Sequence, residues 1–282
     1  MKRLRTRFAP SPTGFLHLGH AASAFTVWDF AASNDAEVVL RIEDVDQTRC
    51  RPEFEAGILA DLSWLGLKWP EPVRRQSDHF DDYARVFGSL GERGLIYRCF
   101  RTRKEVMADV ARAPHGSPEA FFGTPLGEDE EAARVEAGDP FAWRLSLARA
   151  RDELGSAYDR LGFEELEEGG HRFVRAEPEA FGDVVIARKD TPASYHLSSC
   201  HDDTLQGVTH IVRGEDLFAS TSVHVLLQAL MGWPTPIYRH HRLLTGEDGK
   251  RLSKRDKSTS LRSMRAAGII PDEIRQRTGA PL

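Results

Sequence analysis

Arg7-Phe8-Ala9-Pro10-Ser11-Pro12-Thr13-Gly14-Phe15-Leu16-His17-Leu18-Gly19-His20 joins three local structures in a short span. Residues 2 to 9 are apolar and basic in the manner of a strand, and two prolines and Gly14 break the run. His17-Leu18-Gly19-His20 then opens a segment with helical spacing at Leu18, Ala22, Phe25 and Trp28. A helix N-terminus carries unpaired N–H groups and the positive end of a dipole, so such a junction suits phosphate. Gly19 lets a flat ring lie against the backbone, and His17 and His20 can donate hydrogen bonds to phosphate oxygens.

Working outward, Glu37-Val38-Val39-Leu40-Arg41-Ile42 reads as a second strand, completing a βαβ unit, and Glu43 falls at its carboxyl end, where parallel sheets hold ligands. The acidic group Glu43, Asp44 and Asp46 fits a solvated turn as well as a site. Helical periodicity follows over 53–67 and 79–91, with Trp64, Leu65 and Trp69 as packing residues, and Gly94-Leu95-Ile96-Tyr97 reads as the next strand. From residue 99 the chain mixes Gly, Pro and acidic runs such as Glu128-Asp129-Glu130-Glu131 and Glu164-Glu165, read as solvated faces of an inserted subdomain. Phe181 to Asp190 is expected to resume the parallel sheet. A strand ending at Arg213 follows, with Gly214 permitting a tight turn, then a helix over 217–232 and a strand at 237–240.

The 282 residues suffice for a sizeable core, and the net charge of -5 does not by itself predict a nucleic-acid partner, which would need a local basic patch. No run has the length of a signal peptide or membrane span, which implies a cytoplasmic protein with no membrane partner. Cys50, Cys99 and Cys200 are far apart and read as reduced thiols.

The stretch from Arg7 to His20 resembles the first signature of the class I aminoacyl-tRNA synthetases, the His-x-Gly-His type, in the extended form of their glutamyl branch. Gly249-Lys250-Arg251-Leu252-Ser253-Lys254-Arg255 resembles the second signature, in a Lys-Leu-Ser-Lys-Arg variant with Arg251 first. Arg41-Ile42-Glu43-Asp44, Gln76-Ser77 and the run Gly207 to Asp216 are similar to the same branch. The resemblance implies an α/β fold with a class I synthetase-type, Rossmann-like parallel sheet. Its first half spans 1–98, an acceptor-binding-like insertion 99–180, its second half 181–244, and the signature loop with a short helical tail 245–282. The stretch after Arg255 is shorter than the roughly 50 residues of a small domain, so no anticodon-binding domain is expected.

By the same resemblance, Arg7, Phe8, Ala9, Pro10, Ser11, Glu43, Tyr195 and Arg213 surround glutamate, and His17, Gly19, His20, Ser253 and Lys254 bind ATP, with His17, His20 and Lys254 catalytic. The residue types suit that work. A guanidinium fork at Arg213 can hold a carboxylate through two parallel hydrogen bonds, and Glu43 can pair with an ammonium group. Taken singly, Arg7 or Arg213 would equally serve a surface ion pair, and Tyr195 a core. Catalysis would be electrostatic, with charge on ATP and leaving pyrophosphate met by Lys254 and the two histidines, and Mg²⁺ arriving on the phosphates. Many relatives begin a zinc site with Cys-x-Cys. Here Arg101 stands at the second position, and Cys99 and His115 fall short of four donors, so no structural zinc is expected. Ser199-Cys200-His201 departs from the apolar residues usual in relatives.

An activating domain without an anticodon reader resembles truncated paralogues of this family that attach glutamate to queuosine in the anticodon loop of tRNA(Asp). The implied partners are that tRNA, glutamate and ATP, with the chain a monomer. Arg239, His240, His241, Arg242, Arg255 and Lys257 are the candidates for phosphate contact. Two alternatives stand beside this. One is a truncated enzyme charging the tRNA(Glu) 3′ end with a partner chain, and the other is a non-catalytic nucleotide- or RNA-binding paralogue.

Overall fold

The computed structural model describes residues 3–102, 104–106, 120–188, 193–244 and 259–280. β1 (Arg5–Phe8) and β2 (Glu37–Ile42) pair in parallel, Arg5 opposite Glu37 and Phe8 opposite Leu40, and β3 (Arg74–Arg75) adds beyond β2. α1 (Leu18–Ser33) is the crossover between the first two strands, burying Ala21, Ala24, Phe25, Val27, Phe30 and Ala31. α2 (Pro52–Trp64) starts at a proline, whose missing N–H has no helical partner to lose in the first turn. α3 (Phe80–Glu92) turns Tyr83, Val86 and Leu90 inward.

A second chain half completes the sheet from the other side. After α6 (Tyr195–Leu205), β9 (His210–Gly214) runs beside β1: Thr209 N–H donates to Arg5 C=O at 2.9 Å and Arg7 Nη1 reaches Val212 C=O at 3.4 Å. α7 (Thr221–Met231) crosses back, and β10 (Ile237–His241) pairs parallel with β9. The chain thus moves outward from β1 in one direction and from β9 in the other. Their carboxyl ends flank the crevice where open α/β sheets bind ligands.

Both faces of this sheet are covered, as parallel strands require. Val38, Leu40 and Ile42 of β2 join a core built with Phe25, Ile58 and Leu62, while Val39 joins one built with Tyr83, Leu197 and Leu226. α8 (Leu261–Ala266) and α9 (Pro271–Arg277) return to the first of these, burying Leu261, Met264 and Ile274, with Arg275 3.0 Å from Asp29 on α1. Among the described residues, no helix is long and apolar enough to cross a membrane.

The middle of the chain differs from the sequence reading. β4 (Ile96–Cys99) and β8 (Val185–Arg188) do not extend the parallel sheet; both pair antiparallel with β5 (Ala142–Leu145), making a separate three-stranded sheet. Within the expected insertion, α4 (Glu128–Glu136) has an all-acidic first turn and α5 (Leu147–Leu154) follows β5. The hairpin of β6 (Gly162–Glu167) and β7 (Gly170–Arg175) instead attaches to the main sheet, β6 lying parallel to β10. β6 alternates buried Phe163 and Glu165 with more exposed neighbours, so the expected solvated acidic run is half right. Glu165 is buried because its carboxylate takes two N–H groups of His240.

A buried ion network fastens α6 beneath the sheet. Asp202 accepts from Arg74 Nε at 3.0 Å, Gln76 Nε2 at 3.1 Å, Tyr83 hydroxyl at 2.8 Å and His201 Nδ1 at 3.0 Å. Burial alone would raise its pKa, but the His201 bond and the Arg41 and Arg74 charges hold it below the ordinary aspartate value. Stability from such a depressed pKa is fully present above about pH 3.9 and is lost as pH falls through the lower folded value. Asp202→Asn removes one counter-ion from Arg74, which keeps Asp82, and from Arg41, which keeps Asp203 and Glu43, and is expected to cost roughly 1–3 kcal/mol near neutral pH, the value of hydrogen bonds to a charged group. In urea denaturation the gap to the unmodified chain should narrow below about pH 4; a gap independent of pH would contradict this assignment.

Candidate active site

The crevice at the carboxyl ends of β1 and β9 is a cleft of about 450 Å³. Its walls include Arg7, Phe8, Ala9, Pro10, Ser11, His17, Gly19, His20, Glu43, Tyr195 and Arg213, so the described residues nominated from sequence surround one space. Ser253 and Lys254, with Arg251, Arg255, Lys257 and His115, lie outside the described residues. The chain on either side of 245–258 does reach the cleft. Leu243 and Leu244 line it, Ser260 forms a bridge with His17, and Leu261 N–H donates to Leu16 C=O at 2.8 Å.

His17 and His20 begin α1 as a reciprocal cap. Gly19 N–H donates to His17 Nδ1 and His17 N–H to His20 Nδ1, each at 3.1 Å. Backbone N–H groups only donate, so each Nδ1 is the acceptor and a neutral ring carries its proton on Nε2. The rings lie 3.9 Å apart at the helix N-terminus, two N–H donors beside a positive dipole end. Gly19 has a more local reason than expected. A Cβ there would stand 3.0 Å from His17 Cε1, so the flat ring it admits is that of His17. Gly214 likewise is not needed for a left-handed turn, since its φ is -65°. A Cβ would meet Asp216 Oδ1 at 2.5 Å and Leu243 at 2.8 Å.

Beneath the cleft, Arg41 is fully buried and donates to Asp203 at 2.8 Å, Gln206 at 2.9 Å, Glu43 at 2.9 Å and Ser199 at 3.4 Å. Burial alone would lower its pKa, yet Asp203, Glu43 and Asp202 hold it far above the ordinary value, so it stays charged. Burial pushes the Glu43 carboxyl up against the opposing pull of Arg41. Arg7 Nε lies 3.3 Å from Asp203, so Arg7 and Glu43 are both tied to this network as well as to the cleft. Sequence reasoning gave no role to Arg41, Asp203 or the Gln76-Ser77 pair. A charged residue inside the apolar run of β2 was the available signal for Arg41. Gln76 binds Asp202, and Ser77 N–H and hydroxyl bind Asp44 at 2.8 and 2.6 Å. Ser199, one of the departures noted above, is the hydroxyl that meets Arg41.

Arg213 sits differently. It is 4 % exposed, and every partner is neutral: His240 Nε2 at 3.1 Å, Thr221 Oγ1 at 2.6 Å, Leu217 C=O at 3.1 Å, His224 Nδ1 at 3.4 Å and Tyr195 hydroxyl at 3.5 Å. Among the described residues no carboxylate pairs with it directly. Burial is the largest cause holding His224 well below the usual histidine range and His196 down to about 4, with Arg213 adding to both. Tyr195 keeps its proton, its pKa raised chiefly by burial. Of the candidates for phosphate contact, His240 is instead buried on Glu165 and Arg213, while His241 lines the cleft with its Nε2 3.0 Å from Ser23. Cys99 is buried beside Tyr97, Val106 and Phe121, and among the described residues no three His, Cys, Asp or Glu side chains converge as metal donors.

This sheet order, with a capped His-x-Gly-His at its crevice and a separate antiparallel sheet between the halves, defines a class I synthetase catalytic domain. The family of class I tRNA synthetases (E and Q), catalytic domain, matches residues 3–276, and the chain belongs to it. The glutamyl-Q tRNA(Asp) synthetase of Rhodobacter capsulatus is 43 % identical, the match covering 97 % of this chain and 99 % of that protein. The glutamate–tRNA ligase of Aquifex aeolicus is 38 % identical over 97 % of this chain and 56 % of its own length. A crystal structure of a glutamate tRNA ligase from Elizabethkingia meningosepticum in complex with its amino acid superposes with a TM-score of 0.70. It is 30 % identical, over 90 % of this chain and 52 % of that one. The chain thus spans about half the length of these two ligases and nearly all of the Rhodobacter protein.

Proposed function

We propose that the chain activates glutamate with ATP, without tRNA, and transfers the glutamyl group to a hydroxyl of queuosine in the anticodon loop of tRNA(Asp). The observation that carries this is Arg213, a buried guanidinium in the cleft wall whose partners are all neutral. A buried cation without a counter-ion is costly, and an incoming carboxylate relieves that cost. Its Nε and Nη2 donors are already engaged, and the longest bonds, 3.4 and 3.5 Å, are those of Nη1. The substrate side-chain carboxylate therefore takes Nη1–H together with the Tyr195 hydroxyl, rather than both bonds from one fork. Glu43, backed by Asp203, supplies negative charge for the ammonium group.

In the reaction an α-carboxylate oxygen bonds to the α-phosphorus of ATP while the bond to the bridging oxygen breaks and pyrophosphate leaves. His17 and His20 present Nε2–H donors, and α1 its N-terminus, to the growing phosphate charge. Lys254, by its signature, adds a cation there. Mg²⁺ enters with the nucleotide as part of the substrate. The reading places the protein in the cytoplasm as a monomer.

The Rhodobacter protein, matched end to end, favours the queuosine acceptor. The 38 % identity to a glutamate–tRNA ligase favours the second reading, charging of the tRNA(Glu) 3′ end. Incubation with labelled glutamate and ATP should label tRNA(Asp) that carries queuosine, sparing unmodified tRNA(Asp) and tRNA(Glu). Label on the tRNA(Glu) 3′ end alone would decide for the second reading.

Lys254→Ala is expected to slow glutamyl-adenylate formation by roughly 10²–10³-fold, the usual loss of one charge-stabilising donor. Rapid-quench kinetics giving an unchanged rate would remove Lys254 from the chemistry. Arg213→Met should weaken glutamate binding by about 10²-fold or more, the value of charge-assisted hydrogen bonds at about 1.5–3 kcal/mol each. Calorimetry returning an unaltered Kd would rule out this carboxylate site.

A further inference from the structure

The buried pair Glu165 and His240 has no part in the chemistry above, yet it ends on Arg213, the arginine assigned to the substrate side-chain carboxylate. Glu165 comes from β6, inside the segment expected to be an insertion, and His240 from β10. Glu165 Oε1 accepts the His240 backbone N–H at 2.7 Å and Oε2 faces His240 Nδ1 at 2.8 Å. His240 Nε2 in turn stands 3.1 Å from Arg213 Nε. The two side chains are 5 % and 3 % exposed.

The proton positions follow from donor and acceptor inventory. Arginine has no acceptor, so His240 Nε2 must receive the Arg213 Nε–H. The ring is then neutral with its proton on Nδ1, which Glu165 Oε2 accepts. Burial and the Arg213 charge keep His240 below the usual histidine range, and although burial works against Glu165, its bonds from His240 keep that carboxyl below its ordinary value. The negative charge thus lies one imidazole away from Arg213. It fixes the guanidinium without neutralising it by direct contact.

We propose that Glu165 and His240 are positioning residues for substrate selection: Glu165 locks the His240 tautomer, His240 locks the Arg213 edge, and the remaining guanidinium N–H groups are aimed at an acidic side chain. This rests on the reading of Arg213 as the carboxylate site. A direct Glu–Arg213 pair would have filled the place of the substrate carboxylate. The imidazole spacer orients the arginine and leaves its appetite for an anion intact.

Glu165→Gln tests the relay. The amide oxygen must still accept the fixed His240 backbone N–H, which turns the amide NH₂ toward Nδ1. Nδ1 then becomes the acceptor, the ring proton moves to Nε2, and two donors face each other at Arg213. The expected result is a rise of about 10–100-fold in KM for glutamate, the range for one opposed buried donor, with kcat and KM for ATP nearly unchanged. Adding His240→Gln, whose carbonyl can offer Arg213 an acceptor again, should recover part of the loss. Imidazole ¹⁵N NMR of the substrate-free protein should show His240 protonated at Nδ1, and at Nε2 in Glu165→Gln. Protonation at Nε2 in the unmodified protein overturns the relay, whether or not any variant folds. A fall in kcat with KM for glutamate unchanged also overturns it. Absence of glutamate binding by the unmodified protein, with the Nδ1 tautomer present, defeats the assignment of Arg213 to substrate and leaves the internal geometry standing.

Discussion

A guanidinium with no exposed surface, that of Arg41, holds the floor of the cleft together. It springs from near the end of an apolar strand and gathers Glu43 from just beyond that strand and Asp203 from α6, far away in sequence. Asp203 also meets Arg7 of β1, and Asp202 next to it meets Arg74 of β3. The strands on one side of the switch point are thereby fastened to the helix that precedes β9. Removing a charge from this cluster leaves its buried opposites one partner short, which is costlier than never having built the pair. The wall residues Arg7 and Glu43 are thereby held by ion pairs to this cluster.

Two kinds of arginine lie in and beneath this one site. Arg7, Arg41 and the less buried Arg74 are paired with carboxylates. Arg213 is surrounded by a carbonyl, hydroxyls and imidazoles held neutral, with the ring of Tyr238 5.2 Å from its carbon. The difference is electrostatic rather than geometric. A paired arginine has little left to offer a ligand, whereas one dressed in neutral acceptors is hydrogen-bonded in place and still lacks an anion. On the proposed reading, that contrast separates Arg213 from the buried Arg7 and Arg41.

Much of this is legible in the amino-acid sequence. The β1 to α1 junction, the limits of β2 and the grouping of Arg7, Glu43, Tyr195 and Arg213 followed from local breaks, periodicity and resemblance, because each depends on short-range pattern or on a long quoted motif. What escaped the sequence depends on pairing across distance. β6 reads as part of an insertion because its residues are acidic and broken by glycines, yet it docks on β10 through Glu165 and His240. β8 has the composition of a buried parallel strand but pairs antiparallel with β5, a choice that composition does not encode. Gly19 signals a close approach and Gly214 a tight turn, and only the fold says that the close neighbours are His17 and Asp216.

The central claim is that the cleft selects and activates an acidic amino acid by itself. ATP–pyrophosphate exchange with the purified chain, in the absence of any tRNA, measures this most directly. The account predicts exchange that depends on L-glutamate and is absent with L-glutamine. No exchange until tRNA is added, or equal exchange with glutamine, would contradict it.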